Sequence, residues 1–414
     1  MKEKRLGVYI DVVYNVVEGP AGSRVSTDRS FLLFVECVGN SFASLALFGR
    51  AVKSTVDAEY ILSEPIELVP LPHYENLRQL GAVARAAGGT VVQLWRGLDR
   101  VETLWVFGPH PFAALAAVFG VVRRKQVVVG VRQFSVRLYH VRVKGWKRRP
   151  AVAAMWLLDG VFRLLARRVQ VTAQGSELAA RYGAPARANV HTMTESVIRR
   201  ADVADTVTIR DWDGVIELLT VGRLETEKNP LLVVEMLARL EQRHPGRFRL
   251  TWVGRGPLED AVLRRAAALD VNRLITLIGY VRFGPPLLDL YRRAHVFVHV
   301  SLSEGMPKVL IESLACGTPV VATDVGGVRD ALAGGSVALL VPPDDVDALV
   351  SAVERITDDA VLRQLNVTRG LELARSMTLE AEAERLVRFL AEGTGGTMSH
   401  EFRRVAAAGP EGGG

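Results

Sequence analysis

Glu304 and Glu312 are separated by seven residues inside the run SLSEGMPKVLIESLACGTPVVATDVGG, Ser301 to Gly327. Pro307 suits the first helical position, where its missing N–H costs nothing and its φ is already set. Gly317 suits the position past the last helical residue, and Thr318-Pro319 prevents continuation. The loop Glu304-Gly305-Met306 therefore feeds a helix N-terminus, followed by Lys308. Free N–H groups and the positive end of the helix dipole there suit an anion, typically phosphate. Glu304 lies just outside that end, and Glu312 lies about 7–8 Å along the axis at ~1.5 Å per residue. One carboxylate is thus placed for the far side of a ligand and the other for hydroxyls near its nucleoside end.

An earlier loop supplies positive charge. Gly222-Arg223-Leu224-Glu225-Thr226-Glu227-Lys228-Asn229-Pro230 follows a strand-like run, Val215 to Val221. Arg223 and Lys228 then lie at a strand mouth beside a helix starting at Pro230, where two cations can neutralise a diphosphate; read alone, they are equally a pair of surface cations. Gly254-Arg255-Gly256-Pro257 ends the next strand, with glycines that permit close approach to the backbone. Gly279-Tyr280-Val281 ends the one after.

The elements that must position these residues alternate regularly. Strand-like runs at 215–221, 248–253, 274–278, 296–300, 320–323 and 337–341 are separated by helical or turn segments, and helices near 346–356, 359–365 and 379–391 follow. Such alternation predicts a parallel sheet covered on both faces, with ligands at the carboxyl ends of its strands. The N-terminal half is similar in kind, with strands at 6–12, 44–48, 66–70, 103–107, 126–131 and 169–172. It also predicts a helix over 28–38 preceded by a loop, EGPAGSRVST. A hinge is expected between Ser196 and Gly214. The predicted organisation is an N-terminal Rossmann-like domain over 1–200, a C-terminal one over 201–392, and a disordered tail over 393–414.

A length of 414 residues makes two domains the default, and 49% hydrophobic against 23% charged residues is an ordinary globular balance. Two cysteines, Cys37 and Cys316, support neither a disulfide framework nor a zinc site, and point to a reducing compartment. No cleavable leader is expected, because Asp11 interrupts the apolar run after MKEKRL. Leu104 to Val122 is long enough to span a bilayer, but Gly108-Pro109-His110-Pro111 cuts it into a strand and a helix. No Asp-x-Asp or His/Cys cluster has ligand spacing, so no metal is expected.

The net charge of +7 invites a nucleic-acid or membrane reading. No nucleic-acid motif is present. The densest basic stretch, Arg142 to Arg149, precedes the apolar AVAAMWLLDGVFRLL. It suits the surface of an anionic membrane and equally a solvated loop before a core helix.

The two glutamates, with Glu-Gly-x-Pro at their head and Glu-x-x-Ala-x-Gly-x-Pro-Val-Val-Ala behind, resemble the retaining nucleotide-sugar glycosyltransferases of family 4, or glycosyl transferases group 1. Gly-Arg-x4-Lys is similar to that family's donor-diphosphate signature. The resemblance covers 214–392 by motif and the N-terminal half in general architecture only. It implies an α/β fold of the kind called GT-B, two Rossmann-like domains facing across a deep cleft. It also implies transfer from a nucleoside-diphosphate sugar, with UDP the expected nucleotide, to a hydroxyl of a glycan, lipid-linked glycan or small metabolite, without metal or other cofactor.

By the same resemblance Arg223 and Lys228 stabilise the departing diphosphate, Glu304 approaches the transferred sugar, and Glu312 takes the ribose hydroxyls. Gly222, Gly254, Gly256, Gly305, Met306, Pro307 and Lys308 line the donor, and Tyr280 and Val281 hold the base. The N-terminal half departs from the family, which carries a glycine pair after the first strand and a histidine after a mid-domain strand. Here the first loop ends Pro20-Ala21-Gly22 and the strand at 126–131 ends in Arg132-Gln133. Gly22, His110, Arg132 and Gln133 are therefore the candidate contacts. A cytoplasmic enzyme, peripheral to the inner face of a membrane, follows from the same reading. A nucleotide-sugar epimerase on the same fold and a non-catalytic donor-binding subunit are its rivals.

Overall fold

The computed structural model describes residues 1–19, 22–63, 66–75, 77, 79–132, 148–183, 189–206 and 210–392. Two compact units result: Met1–Val197, to which the chain returns at Glu382, and Ile198–Ala381. Gln133, the basic residues before Arg148 and the tail from Gly393 lie outside the described residues.

The first unit contains β1 (Arg5–Gly19), β2 (Gly22–Thr27), α1 (Phe31–Gly39), β3 (Ser44–Lys53), β4 (Tyr60–Ile61) and β5 (Ile66–Leu71). There follow α2 (Leu80–Gly97), β6 (Thr103–Gly108), α3 (Pro111–Val122), β7 (Gln126–Val131), α4 (Arg148–Ala166), β8 (Gln170–Gln174), α5 (Ser176–Tyr182) and β9 (Val190–Met193). Strands β5, β3, β1, β6, β7, β8 and β9 lie side by side in that order, all parallel. Near-continuous apolar runs such as QVVVGV in β7 are what a sheet covered on both faces requires. The span candidate at 104–122 is β6 followed by α3, and among the described residues no helix is long and apolar enough to cross a membrane.

The expected loop at 18–27 is instead a hairpin. β1 continues past its pairing with β6 and turns back as β2, matching Asn15 to Ser26 and Gly19 to Gly22. β-branched residues on both arms (Val13, Val16 and Val17 against Val25 and Thr27) favour strands over a loop. Gly22 thus belongs to a hairpin end, opposite Gly19, where β1 had been expected to stop at Val12. The helix over 28–38 starts later, at Phe31.

The second unit contains β10 (Ile216–Val221), α6 (Pro230–Arg243), β11 (Phe248–Val253), α7 (Glu259–Ala268), β12 (Ile275–Gly279), α8 (Pro285–Arg293) and β13 (Val296–His299). It continues with α9 (Lys308–Ala315), β14 (Val320–Thr323), α10 (Val328–Ala331), β15 (Leu339–Val341), α11 (Val346–Asp358) and α12 (Ala360–Ser376). The last helix, α13 (Leu379–Glu392), leads back to the first unit. There Gln126 and Gln170 donate to the carbonyls of Leu390 and Phe389, both at 2.7 Å. The six strands run parallel in the order β12-β11-β10-β13-β14-β15. In sequence terms that is 3-2-1-4-5-6, whose direction of winding reverses between β10 and β13. A crevice opens outside the carboxyl ends of the strands at such a reversal, and ligands bind there.

Within the expected hinge, Arg210 is largely buried and caps the end of α9. Its guanidinium donates to the carbonyls of Gly317 (3.0 Å) and Arg292 (3.1 Å) and to Thr318 Oγ1 (3.1 Å). Burial lowers its pKa to about 10.

Candidate active site

The loops after β10 and β13 meet at the reversal point of the second sheet. β13 ends in His299, and Ser301 and Glu304 follow. Glu304 Oε1 accepts from Ser301 Oγ at 2.6 Å, lies 3.2 Å from His299 Nε2, and pairs with Lys228 Nζ from the β10 loop. Burial acts to raise the Glu304 pKa, but His299 and Lys228 outweigh it and hold the carboxylate well below its usual range. Arg223 folds back on its own loop, to Glu225 at 2.6 Å and Glu227 at 2.8 Å. Both cations singled out from the sequence are thus beside carboxylates at one strand mouth, and Lys228 and Glu304 are brought into direct contact.

Glu312 is 6% exposed, which excludes a solvated helix position. It projects from α9 under the loop and accepts a hydrogen bond from the fully buried Tyr291 Oη of α8 at 2.9 Å. Burial pushes its pKa up to about 7, against the opposing pull of Tyr291 and Lys308. Pro307 caps α9 in an extended conformation rather than opening its first turn (ψ 112°). Tyr280 is exposed and Val281 half-buried, just beyond β12.

The glycines do a different job from the one their sequence suggests. A β-carbon on Gly254 would stand 2.0 Å from the Gly222 carbonyl oxygen, and one on Gly256 would stand 2.4 Å from that of Leu224. Likewise Gly326 would meet the Glu304 oxygen at 2.1 Å and Gly327 the Gly305 oxygen at 1.7 Å. These residues let neighbouring loops pack main chain on main chain. The β10 loop is clamped by the β11 loop (Leu224 N to Arg255 O, 3.1 Å; Leu258 N to Leu224 O, 3.0 Å), and the β13 loop by the β14 loop (Gly327 N to Glu304 O, 3.3 Å).

The first unit reverses its winding between β1 and β6, and a second polar cluster sits there. Asp11 faces Arg50 Nε at 3.0 Å and accepts from Tyr74 Oη at 2.7 Å. His110, in the loop entering α3, has Nδ1 3.2 Å from Tyr9 Oη and Nε2 3.3 Å from Tyr74 Oη. Because the Tyr74 hydroxyl donates to Asp11, Nε2 must carry the imidazole proton and Nδ1 must accept from Tyr9. Burial lowers the His110 pKa, and Asp11 opposes that only in part. His110 is therefore a neutral, doubly bonded member of a network. Arg132, at the end of β7, donates to the buried Glu195 at 2.6 Å and lies over the Phe31 ring.

Residues 216–359 match the family described as Glycosyl transferases group 1. That match covers much of the second unit. A D-inositol 3-phosphate glycosyltransferase of Pseudarthrobacter chlorophenolicus is 32% identical over 230 residues, covering 52% of each chain. The chain spans about half the length of the curated relatives it matches, or less. Sucrose-phosphate synthase of Thermosynechococcus elongatus superposes with TM-score 0.67 at 17% identity, over 98% of this chain and 100% of that one. Anabaena HepE, solved with UDP and glucose, gives 0.65 at 13%, over 94% and 100%. At these identities the likeness carries the fold, which is GT-B: two Rossmann-like domains.

Sequence reasoning missed His299, Ser301 and Tyr291 in the second unit and Tyr9, Asp11, Arg50 and Tyr74 in the first as site residues. A signal existed for His299, the one polar residue closing the strand VFVH. Tyr291 gave none, since it falls on the apolar face of α8 with Leu287 and Leu288.

Two substitutions separate close packing from ligand approach. Gly327→Ala is expected to destabilise the second unit by about 3 kcal/mol or more, because backbone must move. Gly222→Ala, whose β-carbon meets only the Lys228 chain at 3.8 Å, is expected to cost less than about 1 kcal/mol. Denaturant midpoints of both variants check this. Glu312 also makes stability pH-dependent. Its folded pKa of about 7 exceeds the ordinary glutamate value of 4.5, so its contribution is complete below that lower value and is lost as pH rises through the upper one. Wild type minus Glu312→Gln should therefore fall by up to about 3 kcal/mol between those two pH values. A flat difference would mean Glu312 is ionised throughout.

Proposed function

We propose that this chain transfers a glycosyl group from a nucleoside-diphosphate sugar, UDP-linked in the first instance, to an acceptor hydroxyl with retention of anomeric configuration. The observation that carries this is the joining of Lys228 to Glu304 across the reversal point of a 3-2-1-4-5-6 sheet, with Arg223 on the same loop and Glu312 behind it. The family of residues 216–359 and the UDP bound by HepE support the choice of donor.

In this reading the diphosphate takes Lys228 and Arg223 from their carboxylate partners. Glu304, so released, accepts a hydrogen bond from a hydroxyl of the sugar, and Glu312 accepts from the ribose. Loop amides of Gly305 and Met306 complete the phosphate cradle at the N-terminus of α9, and Tyr280 and Val281 face the base. The bond from the anomeric carbon to the phosphate oxygen breaks with its electron pair going to the diphosphate. The acceptor oxygen bonds on the same face, and its proton passes to the departing phosphate oxygen. Charge stabilisation by Arg223 and Lys228 is the main protein contribution. Acceptor recognition falls to the first unit, and Gly22, His110, Arg132 and Gln133 stand as that unit's candidate contacts to the donor.

A thermal-shift series against UDP, GDP, ADP and their sugar conjugates tests the donor. One nucleotide present at about 100 times its Kd should add about 2.7 kcal/mol. Lys228→Ala should lower kcat/KM about 10²–10³-fold, whereas Glu304→Gln should bind donor and lose turnover. Binding without transfer to any acceptor would favour a non-catalytic subunit. Release of an epimerised sugar without acceptor would favour an epimerase.

Ribose hydroxyls donate to a carboxylate and so favour ionised Glu312. Donor affinity should accordingly rise with pH through about 7, by about tenfold per unit below it. In Glu312→Gln only the slope from the nucleotide's own phosphate, whose second pKa is about 6, should remain.

A further inference from the structure

Half of the large apolar side chains left exposed among the described residues lie on three neighbouring helices of the first unit, α2, α3 and α4. The three share one face of the sheet, because the connections β5-α2-β6, β6-α3-β7 and β7-α4-β8 all step the same way across parallel strands. α3 packs against both α2 and α4. The outward positions include Trp95, Val118, Val122, Leu157, Val161 and Leu164, with Val122 64% and Leu157 74% exposed. On α4 the last three repeat at helical spacing, an unbroken outer strip.

The charge on this layer has one sign. α2 and α3 contain no aspartate or glutamate, and α4 has Asp159 alone. Asp159 is 1% exposed and is held by Arg163 at 3.1 Å and Arg181 at 2.6 Å. Asp99, in the turn after α2, pairs with Arg123. Arg96, Arg124, Arg163 and Arg168 are exposed around the apolar strip. Beside it, a concavity of about 590 Å³ is lined by Arg163, Leu164, Arg167 and Arg181. Helices of the second unit differ: α6 carries Glu235 and Glu241, and α7 opens on Glu259 and Asp260.

We propose that the α2–α3–α4 layer docks on an anionic lipid bilayer, with its valines, leucines and tryptophan among the headgroups and its arginines on lipid phosphates. Apolar area supplies burial and basic residues supply electrostatic attraction, the two terms that hold an amphipathic surface at a membrane. A second copy is a poor occupant, since the face would meet its own positive charge. The sequence alone pointed to residues 142–156; the structure moves the surface onto the outer side of α4 and extends it across α2 and α3. The proposal is independent of glycosyl transfer, because docking is read without donor or acceptor.

Co-sedimentation of the full chain with phosphatidylcholine vesicles, with and without an equal part of phosphatidylglycerol, tests it at about 50 mM and about 500 mM salt. Binding is expected only with phosphatidylglycerol, weakened about tenfold or more at high salt. Leu157→Glu with Leu164→Glu, and separately Arg124→Glu with Arg168→Glu, should each reduce it at least about tenfold, with unchanged thermal unfolding. The second pair stands in if the first fails to fold. No binding to phosphatidylglycerol vesicles, or binding that both pairs leave unchanged, overturns the proposal. So does a dimer, seen by light scattering, that Leu157→Glu dissolves.

Discussion

At the reversal point of the second sheet, main chain packs on main chain with no room for a β-carbon. Gly327 rests on the Gly305 carbonyl and Gly326 on that of Glu304, so the loop bearing Glu304 has its path set by the loop that follows β14. The β10 loop is pressed in the same way by Gly254 and Gly256. Two loops placed from opposite sides can hold a lysine and a glutamate in register without either side chain having to search. Side-chain entropy that an exposed pair would lose on ordering is here already removed by the fold. The position of every donor around Glu304 follows from that packing.

The two glutamates then differ by environment alone. Glu304 is buried, yet Lys228 and Ser301 donate to one of its oxygens and His299 lies 3.2 Å from it, and the charged form wins. Glu312 is buried with a hydrogen bond from Tyr291, and burial wins. Pairs of like groups driven apart in pKa mark sites where the two serve different purposes. In the proposed reaction the difference is useful. Glu304 must be charged to hold Lys228 before donor arrives, whereas Glu312 gains its charge as ribose hydroxyls replace lost hydration. Binding energy from the nucleoside end is thereby coupled to a protonation state, which a ligand lacking ribose could not change.

Most of the second unit was legible in the sequence, and for a physical reason. Parallel strands buried on both faces read as apolar runs such as ALLVPP-bounded LLV and VVAT, and Pro230, Pro285 and Pro307 punctuate helix starts. Gly222, Arg223, Lys228 and Glu304 were found because strand ends at a parallel sheet are where chemistry collects. What could not be read was partnership. Tyr291 and Glu312 are twenty-one positions apart, and no local pattern says that one hydroxyl meets the other carboxylate. The purpose of Gly327 was equally hidden: a glycine pair looks the same whether it admits a phosphate or a neighbouring carbonyl. In the first unit the hairpin was missed because Gly19, Pro20 and Gly22 read as loop residues, while the β-branched residues on either side of them favoured a strand and its return.

The first unit's reversal point reaches a different electrostatic solution from the same topology. β1 pairs with β3 up to Tyr9, then loses register until Val13 meets Arg50. A bulge of this kind re-aims a side chain, and it is Asp11 that falls within it. Arg50 from β3, Tyr74 after β5 and His110 after β6 then close on that carboxylate, each from a different strand end. Both nitrogens of His110 face tyrosine hydroxyls, and burial keeps the imidazole neutral. Such a network resists change, since removing one member strands a buried partner. Arg50 is 8% exposed, so losing Asp11 would leave a cation with little solvent to replace it. The cluster is therefore suited to holding β1 on course as it leaves the sheet for its hairpin. In the second unit the corresponding cations are held by carboxylates of the loops themselves, Arg223 by Glu225 and Glu227 and Lys228 by Glu304. In the proposed reaction a more highly charged anion takes those cations away, whereas the first unit's cluster keeps its own.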